Sequence, residues 1–140
     1  MIEEVKEFLS SYYYLSLKVD SLKEELRCLE ELADGTQGCR FDEPRVQKTP
    51  SQKAPFLRYL DRIDRKQKEI DKKIEELISL KEEIEAAILT VDDPIMELVL
   101  TYRYINCWDW PEIASQMHYS LSYLYELHRK ALSKVELKRT

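Results

Sequence analysis

The side chains in this 140-residue chain that could carry covalent chemistry are few and scattered. Its histidines are His118 and His128, and its cysteines Cys28, Cys39 and Cys107 form no Cys-x-x-Cys and show no zinc-ligand spacing with either histidine. The two glycines, Gly35 and Gly38, build no phosphate loop. Carboxylates are abundant but fall at helical spacing among lysines and arginines, the pattern of solvated faces. No catalytic residue, cofactor site or metal site is expected. Non-covalent recognition remains, and the strongest candidates are Ser120, Leu121, Ser122, Tyr125, Glu126, Arg129 and Lys130. Leu124, Leu127 and Ala131 recur with a period of 3.6, which turns Leu121, Ser122, Tyr125, Glu126 and Arg129 to the opposite side of one helix. On that side Arg129 is a strong donor to a guanine edge or phosphate, while Ser122, Tyr125 and Glu126 make weaker or base-selective contacts.

That helix needs a start and a support. Ser120 is a natural N-cap for it. Just before it, Asp109-Trp-Pro-Glu112 reads as the opening of another helix, with Asp109 as cap, Glu112 three residues on and Pro111 in the first turn. Ile113, Ala114 and Met117 give this helix an inward face, and His118-Tyr119-Ser120 forms the corner. A helix, a short turn and a second helix with an exposed polar face form a helix-turn-helix pattern, whose second helix can enter a DNA major groove. Upstream, Asp93 caps a further helix with Pro94 at its first position. That helix carries Ile95, Leu98, Val99, Tyr102 and Ile105, leaves Arg103 to solvent and ends around Asn106-Cys107. Trp108 and Trp110 read as core or staple residues. His118 at the corner and His128 beside Arg129 read as surface or phosphate-adjacent groups.

The rest of the chain is heptads. From Met1 through Val5, Phe8, Tyr12, Leu15, Val19, Leu22, Leu26 and Leu29 to Ala33, apolar residues alternate steps of four and three. Tyr12-Tyr13-Tyr14 widens this stripe, read as packing plus exposed phenols. Asp34-Gly35 ends the helix, and residues 34–55 form a flexible, mildly basic connector holding Pro44, Pro50 and Pro55. The seam resumes at Phe56, Leu60 and Ile63 and runs through Ile70, Ile74, Leu77, Ile84 and Ile88 to Val91, broken by Gln67 and Lys81, polar seam residues of the kind that fix register. The predicted fold is all-α: an antiparallel, coiled-coil-like helical hairpin over 1–91, then a helix-turn-helix unit over 92–140. Two helices roughly 50 Å long bury little apolar surface alone, so a homodimer or other homo-oligomer through the heptads is expected, by pairing of two hairpins or, as the competing arrangement, in a parallel intermolecular coiled coil.

Composition agrees with helices: 35% charged residues, two glycines and a net charge of −5. An acidic total argues against binding nucleic acid through overall charge, but 121–140 holds Arg129, Lys130, Lys134, Lys138 and Arg139 against Glu126 and Glu136. The odd cysteine count, the lack of a signal peptide and the lack of a membrane-length apolar run predict reduced thiols in a soluble, cytoplasmic protein.

Leu98 to Leu132 resembles the promoter-reading carboxy-terminal helix-turn-helix of sigma factors. The matching landmarks are Leu100-x-x-Arg103-Tyr104-Ile105, Glu112-Ile113-Ala114, Tyr119-Ser120 and Arg129-Lys130-Ala131-Leu132. With its heptad region, the whole chain is similar to small sigma-like proteins of phages and prophages, including the RinA- and ArpU-type late-gene activators. The resemblance implies a sequence-specific DNA-binding transcriptional regulator in a bacterial host cell, a late-gene activator or a sigma-like factor, with RNA polymerase as a further partner. It departs from the pattern at His118, where sigma-type turns have glycine. Two other readings stay open: a small-terminase-like DNA-packaging component, and a protein-interaction module without DNA binding.

Overall fold

The computed structural model describes residues 2–34 and 53–137, with side chains described from Leu57 onward in the second stretch. Its regular secondary structure is helical throughout, so the fold is all-α, and no described helix is long and apolar enough to cross a membrane. The helices are α1 (Ile2–Ala33), α2 (Lys53–Leu89), α3 (Pro94–Leu100), α4 (Trp110–Met117) and α5 (Leu121–Lys134). Most of the connector expected at 34–55 lies outside the described residues, as does the side chain of Phe56.

Helix boundaries follow the capping chemistry. Asp93 is extended and its carboxylate accepts from the Ile95 and Met96 amides, with Pro94 inside the first turn. Asp92, just before it, takes a positive φ of 57° to turn the chain. Helix α3 then widens into a π segment, Thr101–Ile105, where Asn106 N donates to Thr101 O at 2.9 Å and Trp108 N to Tyr102 O at 3.0 Å. This wider turn carries no sequence signature that periodicity reads, and such insertions tend to re-aim side chains at functional places.

Packing divides the chain into two compact units, one of Met1–Ser16 with Glu76–Thr140 and one of Leu17–Glu75. That division differs from a boundary at 91/92. In the first unit, Val5 and Leu9 of α1 and Ile84 and Ile88 of α2 join the same apolar cluster as Val99, Ile113 and Leu124. The start of α1 and the end of α2 are therefore core elements of the unit that holds α4 and α5. The tail after α5 is tied in as well: Val135 is buried and Glu136 N donates to Thr90 Oγ1 at 2.9 Å. In the second unit Val19, Leu22 and Ile70 are buried, and Lys66 pairs with Glu25 at 2.8 Å.

The seam differs from the heptad reading in two places. Leu9, not Phe8, is the fully buried residue of its turn, because a helix that touches several neighbours buries a broader stripe than an a/d seam. Gln67 and Lys81 are exposed and do not interrupt the seam; Gln67 Nε2 instead donates to Asp71 across one turn at 2.8 Å. Leu9, Leu22, Ile70 and Ile84 are each at most 2% exposed within one chain. These four residues are covered without a second copy, whereas Leu60, on the seam, is 42% exposed.

Leu9→Ala should lower the unfolding free energy by about 2–5 kcal/mol, the usual cost of a leucine-sized cavity. Leu17→Ala, at a residue 45% exposed on the same helix, should cost less than about 1 kcal/mol. Urea unfolding followed by circular dichroism distinguishes them; equal losses would contradict the burial pattern.

Candidate nucleic-acid interface

The corner between α4 and α5 is built by local hydrogen bonds. Asp109 is extended, and its carboxylate accepts from Glu112 N at 2.9 Å, which starts α4 with Pro111 in its first turn. The helix ends when His118 takes the left-handed conformation, φ 60° and ψ 40°. Tyr119 N then reaches back to Ala114 O at 3.1 Å, closing a Schellman-type end. Ser120 is extended, and its Oγ accepts from Tyr123 N at 3.2 Å to start α5. Ile113 and Leu124 are wholly buried, and Leu127, Ala131 and Leu132 are buried with them, so the inner faces of both helices are fixed.

Along α5 the side chains of Leu121, Ser122, Tyr125, Glu126, Arg129 and Lys130 are all exposed. Ser120 is exposed too, but its hydroxyl is committed to the Tyr123 amide. Tyr125 and Arg129 are brought together at an open groove of about 620 Å³; Leu121, Ser122, Glu126 and Lys130 stand outside its lining. The groove is lined across from α5 by Lys6, Ser10, Tyr13 and Tyr14 of α1. Its floor includes Arg103, Tyr104, Trp110 and His128.

This floor is an aromatic junction that periodicity alone does not reveal. The Trp110 ring meets Tyr125 edge-on at 5.5 Å and His128 at 4.6 Å between centroids. The Arg103 guanidinium lies over Trp110 with Cζ 4.8 Å from the ring centroid, and Arg103 Nη1 donates to Trp108 O at 3.0 Å. Arg103 is therefore not simply given to solvent: the π segment aims it back across the loop to Trp110, where its charge meets a ring face. Nor is His128 a surface group. Its Nε2 lies 2.6 Å from the Tyr104 hydroxyl, and the two rings stack at 5.7 Å. Burial, with the positive charges of Lys6 and Arg103, pushes His128 down to about 4. Burial likewise raises Tyr104 to about 12, with Arg103 opposing it. The bond thus joins two neutral groups at neutral pH. Trp108 stacks on Tyr102 at 4.5 Å, away from the groove.

The thiols differ from the expectation of three reduced cysteines. Cys28 is disulfide-bonded, whereas Cys107 is free and exposed at a positive φ of 59°. Partial burial raises the Cys107 thiol, with Arg103 opposing, so it lacks the lowered pKa of a reactive nucleophile.

Sequence reasoning singled out Tyr125 and Arg129 but not Lys6, Tyr13, Arg103 or Trp110 as their neighbours. Lys6 and Tyr13 lie more than a hundred residues away in the chain, so no local motif links them to α5. Trp110 was readable only as a staple beside the Asp109 cap. Compared with protein-family models, curated proteins and solved structures, the chain matches none.

Two outcomes follow from this geometry. Replacing His118 by glycine relieves a side chain held at left-handed φ and should raise the unfolding free energy by about 0.5–1 kcal/mol, read from the urea midpoint. A destabilised H118G would mean that the His118 side chain contributes contacts that outweigh the backbone strain. Acid should weaken the fold through His128. The unfolded chain binds its proton below about 6.5 and the folded chain only below about 4, so stability is undiminished above pH 6.5 and falls as pH drops through that window. Thermal melts of wild type and His128→Gln between pH 7.5 and 4.5 should show the larger fall in Tm for wild type.

Proposed function

We propose that this chain is a sequence-specific DNA-binding regulator of transcription of the phage and prophage sigma-like kind, reading promoter-type DNA through α5. The observation that carries the reading is the two-sided character of that helix. Its inner side is locked by Leu124, Leu127 and Ala131, while Ser122, Tyr125, Glu126, Arg129 and Lys130 stand exposed along its outer side. A short helix, a three-residue turn and a rigidly seated second helix form the helix-turn-helix arrangement that places side chains against base edges in a major groove. The sigma-like landmarks support it further. Leu100 and Ile113 are wholly buried core residues, and Tyr104 is buried against His128.

Roles on α5 follow from chemistry. Arg129 supplies the strong donor, to guanine or to phosphate; Lys130 neutralises phosphate; Ser122 and Tyr125 donate or accept at base edges; Glu126 accepts from cytosine. Leu121, 41% exposed, offers an apolar contact to a thymine methyl. With only two cations among these residues, a single copy binds weakly. A homodimer would raise the local concentration of a second recognition helix. Seam residues left open, such as Leu60 at 42% exposed, give that dimer a place to form, and RNA polymerase is a second candidate partner at the promoter.

Arg129→Ala should weaken binding to the chain's own regulatory DNA by about 1–3 kcal/mol, roughly 5- to 150-fold. If Arg129 contacts phosphate, the slope of log affinity against log salt should also fall by about one. Fluorescence anisotropy with labelled duplexes at several salt concentrations reads both. Wild-type protein that binds no such duplex, with or without RNA polymerase, would refute the reading.

A further inference from the structure

Beyond the outer side of α5, the groove in the first unit gathers groups that packing does not account for. Three tyrosine rings line it while largely open to solvent: Tyr13 is 44% exposed, Tyr14 66% and Tyr125 46%. Aromatic rings convergent on one concave place and left wet are surfaces waiting for a planar partner. Lys6 and Arg129 stand in the same lining, both exposed, and neither forms an ion pair with a described residue. Arg103 adds a third cation below them, held on the Trp110 face. The opposing carboxylates are Glu3 and Asp109, and the latter is already engaged by the Glu112 amide. At about 620 Å³ the groove falls within the roughly 300–1,000 Å³ of small-ligand sites.

Ring faces beside unpaired cations match one ligand chemistry: a flat base carrying a phosphate. We propose that this groove binds a nucleotide unit, its base against the Tyr13, Tyr14 and Tyr125 rings and its phosphate held by Lys6 and Arg129. Stacking on aromatic side chains is tolerant of base identity, and the cations supply charge-assisted hydrogen bonds to the phosphate. The regulatory consequence rests on the DNA reading given above. Tyr125 and Arg129 belong both to the groove and to the outer side of α5, so a bound nucleotide withdraws them from duplex DNA and acts as a negative effector.

Trp110 provides the readout. In full-length protein carrying Trp108→Phe, which keeps a ring stacked on Tyr102, Trp110 is the remaining tryptophan. Titration with AMP, with GMP and with a single-stranded oligothymidylate should change its fluorescence saturably, and calorimetry on the unmodified protein should give the same affinity. Lys6→Gln and Tyr13→Ala, both at exposed positions, should each weaken binding about five-fold or more without moving Tm. Saturation by free AMP or GMP identifies a diffusible effector, and saturation by the oligonucleotide alone identifies the unstacked end of a strand; either upholds the site. No saturable binding of any probe, or binding indifferent to both substitutions, overturns it. These titrations contain no duplex DNA, so their failure is separate from failure of the DNA reading. Where duplex DNA is bound, AMP that binds without displacing it overturns the effector role and leaves the site.

Discussion

Leu124 has no exposed surface, and the position of every outward side chain on α5 depends on that burial. Side chains on a helix have fixed directions relative to one another, so seating Leu124, Leu127 and Ala131 sets the rotation of the helix about its axis. That in turn sets where Ser122, Tyr125 and Arg129 stand. The cluster that receives Leu124 is assembled from distant pieces of chain: Val5 and Leu9 from α1, Ile84 and Ile88 from α2, Val99 from α3 and Ile113 from α4. A unit built from 92–140 alone would lack the Val5, Leu9, Ile84 and Ile88 side chains of that cluster. The ends of the long helices are thus part of the fold that presents α5, whatever else the remainder of those helices does.

Trp108 and Trp110 pack against the apolar cluster, and beside Trp110 the His128–Tyr104 pair holds its polarity without net charge. His128 and Tyr104 meet as neutral partners because burial penalises both the imidazolium and the phenolate. Protonating His128 would place a third positive charge beside Lys6 and Arg103, which are the other named causes of its lowered pKa. Arg103 is accommodated differently: a ring face and the Trp108 carbonyl receive its charge, and no carboxylate is needed. The π segment makes this possible. Its extra residue per turn and the positive φ of Cys107 let the chain fold back so that Arg103, Trp108 and Trp110 converge within eight residues.

The parts of the molecule that sequence made legible are those governed by local chemistry. Caps at Asp93, Asp109 and Ser120, the proline-first turns and the corner at His118 follow from hydrogen-bond needs within four or five residues, and each sits where those needs place it. The 3.6 period likewise assigned Leu124, Leu127 and Ala131 to the interior. What stayed hidden was set by tertiary contact. Phe8 and Leu9 are adjacent on the helix, and only the presence of neighbouring helices decides which is wholly buried. Gln67 fits a heptad position by count but rotates outward, where an aspartate one turn on satisfies its amide. The groove is the extreme case. Lys6, Tyr13, Arg103 and Arg129 look like ordinary solvated residues in four places, and only the fold makes them one surface.

Shared residues impose a thermodynamic relation on that surface. If a nucleotide and duplex DNA both need Tyr125 and Arg129, each must lower the other's affinity by the same factor, since coupling between two binding events is reciprocal. Full exclusion is not required: if only Arg129 is shared, the coupling cannot exceed what its contacts contribute, on the order of 1–3 kcal/mol. An outer face with few cations makes such coupling effective, because loss of one arginine removes a large share of its available positive charge. A heavily basic recognition helix would be indifferent to the same ligand. If α5 reads DNA and the groove takes a nucleotide, the sparse charge of α5, a weakness for affinity alone, is what would let an occupied groove register at the DNA.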